Sequence, residues 1–248
     1  MTRPAILALV RHGESAWIAE GRFQGRGDPP LSDAGMSQAA AGGARLAAPA
    51  ETPDTPVPDS PPQAIWHSPL RRAMQTAAAI HEAREADAPL RLLDDLTELS
   101  QGEWEGLTHD QVRERYPEQL AAWRDDPLAN HAPGGESLAE ALARARAATA
   151  TILGATDAAP GASDDRADPA EPVLGYERTL KSDRMPWSIV VAHDGVLRLL
   201  MMDLLGVPIE RFWSFPFALA SISVLDLNAD VVRLRAHNLD EHVAALLR

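Results

Sequence analysis

Two histidines stand at the ends of apolar runs. Ala5 to Val10 leads into Arg11-His12-Gly13-Glu14, and Ser188 to Ala192 leads into His193-Asp194-Gly195. An imidazole delivered this way can act as a nucleophile, a base or a metal ligand, and Arg11 beside it points to an anionic substrate. A third element, Ser68-Pro69-Leu70-Arg71-Arg72-Ala73, puts two arginines in the first turn of a helix. Arginine is more at home near a helix C-terminus. An anion site explains the placement, because N-terminal amides favour phosphate and a guanidinium adds a bidentate fork. The fourth is Leu96-Thr97-Glu98-Leu99 followed by Gly102-Glu103-Trp104-Glu105-Gly106. Most loop glutamates are solvated, but one held in a crevice would have a raised pKa and could serve as a general acid.

Composition limits the choices. The 248 residues carry 23 basic and 36 acidic side chains, a formal net charge of -13. That balance argues against a nucleic-acid or anionic-membrane partner. Any anion site must then be a local positive pocket in an acidic protein. There is no cysteine, which excludes disulfides, zinc thiolate sites and a cysteine nucleophile. His67, His81, His109, His131, His237 and His242 show no metal-ligand spacing and read as structural or solvated. Asp94-Asp95 and Asp125-Asp126 read as loop carboxylates facing water. No metal or cofactor is expected. No Gly-rich loop ends in Lys-Ser/Thr, so P-loop chemistry is out. The first residues carry no secretory signature and no run reaches membrane-spanning length, so a cytoplasmic location is expected.

The elements that must position these residues follow from periodicity and punctuation. Ala5 to Val10 reads as a buried strand. Gly21 to Gly35 is a loop, and a helix follows from about Ser32 to Leu46 with Ser32 as N-cap. Ala48 to Pro62 is too rich in proline for a helix or a central strand and reads as an exposed loop. Ala64 to His67 is a short strand. Ser68 is the expected N-cap and Pro69 the first residue of a helix reaching about Arg84. Leu90 to Leu93 is a strand, and Thr108 with Gln111 forms a capping box for a helix to Tyr116. Glu136 to Leu153 is helical. About Ala155 to Arg184 reads as a loop insertion placed to cover the pocket and select substrates. Ser188 to Ala192 is a strand, Val196 to Leu205 a helix, and Ser221 to Leu227 with Val231 to Ala236 a hairpin about Asn228-Ala229-Asp230. Strands alternating with helices predict an α/β single-domain three-layer sandwich, its sheet mostly parallel with helices on both faces. If the two histidine-bearing strands are neighbours, both imidazoles enter one crevice. The six tryptophans read as packing residues, Trp104 being the one placed to line the pocket as well.

Taken in chain order, these motifs resemble the histidine phosphatase superfamily, the phosphoglycerate-mutase-like group. They are Arg11-His12-Gly13-Glu14, Ser68-Pro69-Leu70 with Arg72-Ala73 and Thr76-Ala77, Leu96-Thr97-Glu98 before Gly102-Glu103-Trp104-Glu105-Gly106, and Val191-Ala192-His193-Asp194-Gly195. The resemblance implies that His12 is the nucleophile and forms a phosphohistidine. It implies that Arg11, Arg72 and His193 grip the phosphoryl oxygens, and that Glu98 protonates the leaving oxygen and then activates water. Gln24 and Gly25 match a loop lining the family's pocket, and Asp194 and Gly195 complete the last motif. His12 would keep its attacking nitrogen unprotonated by donating from the other to a backbone carbonyl. The family often has Asn directly after the Trp of the first motif; here Ile18 follows Trp17. One polar phosphate contact is thereby lost, which either weakens transition-state binding or is compensated by another donor such as Ser15 or a backbone amide.

The resulting expectation is a metal-independent phosphomonoester hydrolase acting on a small phosphorylated metabolite. A phosphoglycerate mutase shares the nucleophile, but Gly102-Glu103-Trp104-Glu105-Gly106 looks more like the phosphatase branch. A non-catalytic phospho-ligand binding protein is the alternative of another class, favoured by Ile18 alone. The apolar Phe212 to Phe217 patch reads as core, with a homo-oligomer interface as its other reading.

Overall fold

The computed structural model describes residues 5–49, 55–85, 88–157, 185–228, 231–244 and 246. The first strand, β1 (Ala5–Arg11), is followed by a single-turn helix α1 (Ala16–Ala19), α2 (Asp33–Ala47), β2 (Ile65–His67), α3 (Arg71–Arg84) and β3 (Leu90–Leu92). Two short helices, α4 (His109–Arg115) and α5 (Pro117–Asp125), precede the long α6 (Leu138–Asp157). Then come β4 (Trp187–Ala192), α7 (Asp194–Leu205), β5 (Ile222–Asn228), β6 (Val231–Leu239) and the short α8 (Glu241–Ala244). The strands form a six-stranded sheet in the order β3-β2-β4-β1-β5-β6. The β3-β2, β2-β4 and β4-β1 pairs are parallel, and β5 and β6 add antiparallel on the far side.

The centre of the sheet is apolar on both faces because both are covered. Leu7 and Leu9 of β1 pack with α6 and α7, whereas Ile6, Ala8 and Val10 pack with Leu46 of α2 and with Ala73, Ala77 and Ile80 of α3. Strand β4 divides likewise, Val190 and Ala192 to the first layer and Trp187, Ile189 and Val191 to the second. Truncating either buried leucine of β1 to alanine would cost about 2–5 kcal/mol. The predicted mostly parallel sheet with helices on both faces is the observed one. No helix among the described residues is long and apolar enough to cross a membrane.

Register puts the chemistry at one edge. Arg11 lies opposite Ala192, and His67 lies opposite Val191. The His12 amide donates to the Ala192 carbonyl at 3.0 Å and the Ser68 amide to the Val191 carbonyl at 3.1 Å. The residues following β1, β2 and β4 therefore emerge level, at the carboxyl edge where open α/β sheets bind ligands.

Two local expectations are corrected. Helix α3 begins at Arg71 with Leu70 at its N-cap position, not at Pro69 with Ser68 capping. The Ser68 amide extends the ladder to β4, so Ser68 and Pro69 are still extended chain. The orphan amide of Arg71 donates instead to the Asp28 carboxylate, 2.6 Å away. Second, residues 55–62 of the proline-rich segment carry no helix or strand, but they are not simply exposed. Thr55 and Val57 are buried, Val57 joins the α2/α3 layer, and the Ser60 carbonyl accepts from the Trp187 indole at 2.8 Å. Proline forbids regular pairing there; it does not forbid burial of apolar side chains. Of the segment expected as a loop insertion, Ala155 to Asp157 belong instead to α6, and the remainder, 158–184, lies outside the described residues. The hairpin turn at 229–230 does too. In the Phe212 to Phe217 patch, Phe212 and Phe217 are core, while Trp213 is 41% exposed.

Candidate active site

His12 leaves β1 almost fully buried, and its Nδ1 lies 2.6 Å from the Gly13 carbonyl oxygen. A carbonyl only accepts, so Nδ1 carries the proton and Nε2 keeps its lone pair. Arg72 Nε donates toward that Nε2 at 3.2 Å. The rest of the Arg72 guanidinium is fixed by the carbonyls of Gly27 and Gly25, at 2.7 and 2.8 Å. Burial lowers the Arg72 pKa to about 10, which leaves it charged at neutral pH. Burial, together with the Arg72 and Arg11 charges, holds His12 well below the usual histidine range. His12 is therefore neutral with Nε2 available, the state a nucleophile needs.

His193 follows β4 and stands edge-on to His12, the ring centroids 5.0 Å apart. Its Nε2 is 2.7 Å from Ser68 Oγ, the hydroxyl that the helix did not use as a cap. Its Nδ1 is buried without a hydrogen-bond partner among the described residues. Burial and the Arg72 charge, with His12 and Arg11 adding to them, keep His193 neutral.

Glu98 approaches from the opposite wall. Its Oε1 accepts from the Leu99 and Val196 amides at 2.9 and 3.2 Å, and Oε2 from the Gly195 amide at 3.2 Å. The carboxyl thus sits on the N-terminus of α7. Burial raises its pKa and the Asp194 charge adds to the rise, while the Leu99 and Gly195 amides and Arg72 oppose it. The net is a carboxyl shifted toward holding a proton, as a general acid requires. Gly195 has no room for a side chain: a Cβ there would lie 2.7 Å from Glu98 Oε1.

Asp194 is oriented rather than free. Its Oδ1 accepts from Arg198 Nε at 3.0 Å and the Phe217 amide at 3.1 Å, and its Oδ2 from the second Arg198 arm at 2.8 Å. The Phe217 carbonyl in turn accepts from Arg11. Arg198 and Asp194 thereby hold the loop that holds Arg11. Burial lowers the Arg11 pKa, and Asp194 and Glu98 oppose the shift.

A cleft of about 360 Å³ opens above these groups, lined at its inner end by Arg11, His12, Gln24, Gly25, Glu98 and Asp194. Four of the residues singled out in the sequence lie just outside its wall. Arg72 and His193 touch His12, and Gly195 backs Glu98. Ser15 is fully buried, caps α1 by accepting from the Ile18 amide at 3.1 Å, and bonds to Gln24. Ser15 acts here on the loop that carries Gln24. Glu105 ties that loop to the Glu98 loop, its Oε1 accepting from the Arg26 and Gln101 amides, both at 2.9 Å. Among the described residues no three His, Asp or Glu side chains gather into a group that could hold a metal ion.

The outer wall was not foreseen. Ile18, Phe23, His109 and Trp123 line it, although His109 reads in sequence as structural or solvated and Trp123 as packing. Trp104, the tryptophan expected at the pocket, is instead fully buried in a small core with Val112 and Leu120. The outer wall is assembled by backbone bonds between segments distant in sequence. The Phe23 amide donates to the Leu107 carbonyl and the His109 amide to the Gly21 carbonyl, each at 2.9 Å. No residue spacing announces that bridge.

Comparison with known proteins places the chain. A family model described as histidine phosphatase superfamily (branch 1) matches residues 7–159 and 172–240. The chain is 32% identical over 222 residues to phosphoserine phosphatase 1 of Hydrogenobacter thermophilus, covering 89% of this chain and 86% of that protein. It is 31% identical over 215 residues to glucosyl-3-phosphoglycerate phosphatase of Mycolicibacterium vanbaalenii, covering 83% and 76% respectively. Among solved structures, a mycobacterial glucosyl-3-phosphoglycerate phosphatase in complex with VO3 superposes with a TM-score of 0.71 at 29% identity, covering 94% of this chain and 98% of that one.

Proposed function

The chain belongs to the histidine phosphatase superfamily and is a phosphatase of that type, and we propose that it hydrolyses the monoester of a small phosphorylated metabolite through a phosphohistidine on His12, without a metal ion. The observation that carries the reading is the commitment of His12 Nδ1 to the Gly13 carbonyl, which leaves Nε2 unprotonated and able to attack.

In this reading Nε2 attacks the phosphorus in line with the leaving oxygen, and the P–O bond to the alcohol breaks. Glu98 gives its proton to that oxygen as it leaves. Water then attacks the phosphohistidine, Glu98 takes a proton from it, the P–N bond breaks, and its electron pair returns to Nε2. Phosphoryl transfer asks mainly for positioning and charge neutralisation. Arg11 and Arg72 supply the positive charge that a metal supplies elsewhere, and the neutral His193 supplies a further polar contact. Ile18 brings an apolar group to the cleft wall. Backbone fixed by Ser15, including the Gln24 and Gly25 loop, offers donors in its place. Phosphoglycerate mutase is the less supported reading, since the relatives compared above are phosphatases.

The test is hydrolysis of para-nitrophenyl phosphate in excess EDTA. Full activity in EDTA, abolished by His12→Ala, is expected. Activity that appears only on adding a divalent metal contradicts the mechanism.

A further inference from the structure

The cleft is chemically divided along its length. The inner end is charged and polar, whereas the outer wall sets Ile18, Phe23, His109 and Trp123 beside Arg22 and Gln101. Phe23 and His109 meet edge to face with centroids 4.8 Å apart, so their positions are fixed with respect to each other. Trp123 is braced the same way by Trp104 at 5.8 Å and by Trp213 at 4.9 Å. Braced rings offer a pre-formed surface to a ligand ring.

The charges of this outer region are unsuited to an acidic leaving group. Its arginine, Arg22, donates from Nε to Glu20 at 2.6 Å and from a terminal nitrogen to the Gly106 carbonyl at 2.7 Å. Asp194 faces the same cleft and offers a substrate carboxylate no donor, its own oxygens being engaged by Arg198 and the Phe217 amide. The volume of about 360 Å³ falls in the range, roughly 300–1,000 Å³, that takes a whole small metabolite rather than a phosphoryl group alone.

We infer that the leaving group this site accepts is an uncharged alcohol with an aromatic or flat apolar face, held against Phe23, His109 and Trp123, and not a carboxylic acid or amino acid. This rests on the hydrolase reading above and specifies its substrate class. Ile18 acts in the same direction, giving the leaving group an apolar edge.

The experiment compares kcat/KM for 2-phenylethyl phosphate with phosphoserine and 3-phosphoglycerate. All three are alkyl monoesters, so leaving-group acidity does not decide the order. The aromatic ester should be preferred about tenfold or more. Phe23→Ala and Trp123→Ala should each raise its KM about three- to tenfold, while inhibition by inorganic phosphate, which occupies only the inner end, holds. Trp123 supports neighbouring rings, so Ile18→Asn is the third variant, and it should shift the preference toward the acidic esters. His12-dependent turnover that favours phosphoserine or 3-phosphoglycerate overturns this inference alone, as does a preference unmoved by all three variants. Failure to hydrolyse any of the three esters, or para-nitrophenyl phosphate, overturns the hydrolase reading and this inference with it.

Discussion

The guanidinium of Arg72 donates from Nε toward the unprotonated Nε2 of His12 at 3.2 Å, while its two outer arms are held by the Gly27 and Gly25 carbonyls. A buried cation is thus aimed at the atom where, in this account, the phosphoryl group lands. It depresses the His12 pKa, and it gives a positive charge to the arriving oxygens. The same fork fastens the loop bearing Gln24 to the nucleophile.

Lysine cannot reproduce that fork. Arg72→Lys should lower kcat/KM by about 10²–10³, with para-nitrophenyl phosphate kinetics as the measurement. Near-full activity in the variant would mean that charge alone matters and that the planar geometry does not.

Glu98→Gln removes the proton but keeps the size and the amide contacts. Alkyl phosphates should lose about 10²–10⁴ in kcat/KM, and activated aryl phosphates far less, because an alkoxide needs a proton on departure and a nitrophenolate does not. Equal losses for both classes would show that Glu98 does not protonate the leaving oxygen.

Gly195→Ala should imitate that pattern without touching a titratable group. A Cβ at that position meets Glu98 Oε1 and the Leu99 side chain, both at 2.7 Å, and must displace the carboxyl. The ratio of aryl to alkyl turnover should rise as it does in Glu98→Gln. An unchanged ratio would show that the carboxyl position is not critical.

The pH profile follows from the direction of the two shifts. His12 is active when neutral and its pKa is depressed, so kcat/KM should not fall as pH drops through 6.5, the ordinary histidine value, but only further into acid. Glu98 donates when protonated and its pKa is raised from 4.5, so a descending alkaline limb should begin above that value. That limb should disappear in Glu98→Gln, and its persistence would assign it to another group.

Much of this was legible in the sequence because it lies on regular elements. Apolar runs ending in Arg11-His12 and in His193 declare buried parallel strands, and neighbouring strands bring their ends together. Capping chemistry located α2 and α4, with Ser32 and Thr108 at the expected positions. The start of α3 was not legible, since Ser-Pro is equally an N-cap signal and an extended pair, and pairing with β4 decides between them. The burial of Val57 was also hidden, because proline content reports on backbone pairing and not on where side chains pack. The outer wall was least legible. Phe23, His109 and Trp123 come from a loop and two short helices, joined by the Phe23–Leu107 and Gly21–His109 backbone bonds.

The central claim is a covalent intermediate on His12. Rapid acid-free quenching of the enzyme with ³²P-labelled substrate, followed by peptide mapping, tests it directly. The account predicts acid-labile, alkali-stable label on the peptide containing His12, absent from His12→Ala and accumulating in Glu98→Gln with an activated aryl ester. Label on another residue, or steady turnover by His12→Ala, would contradict it.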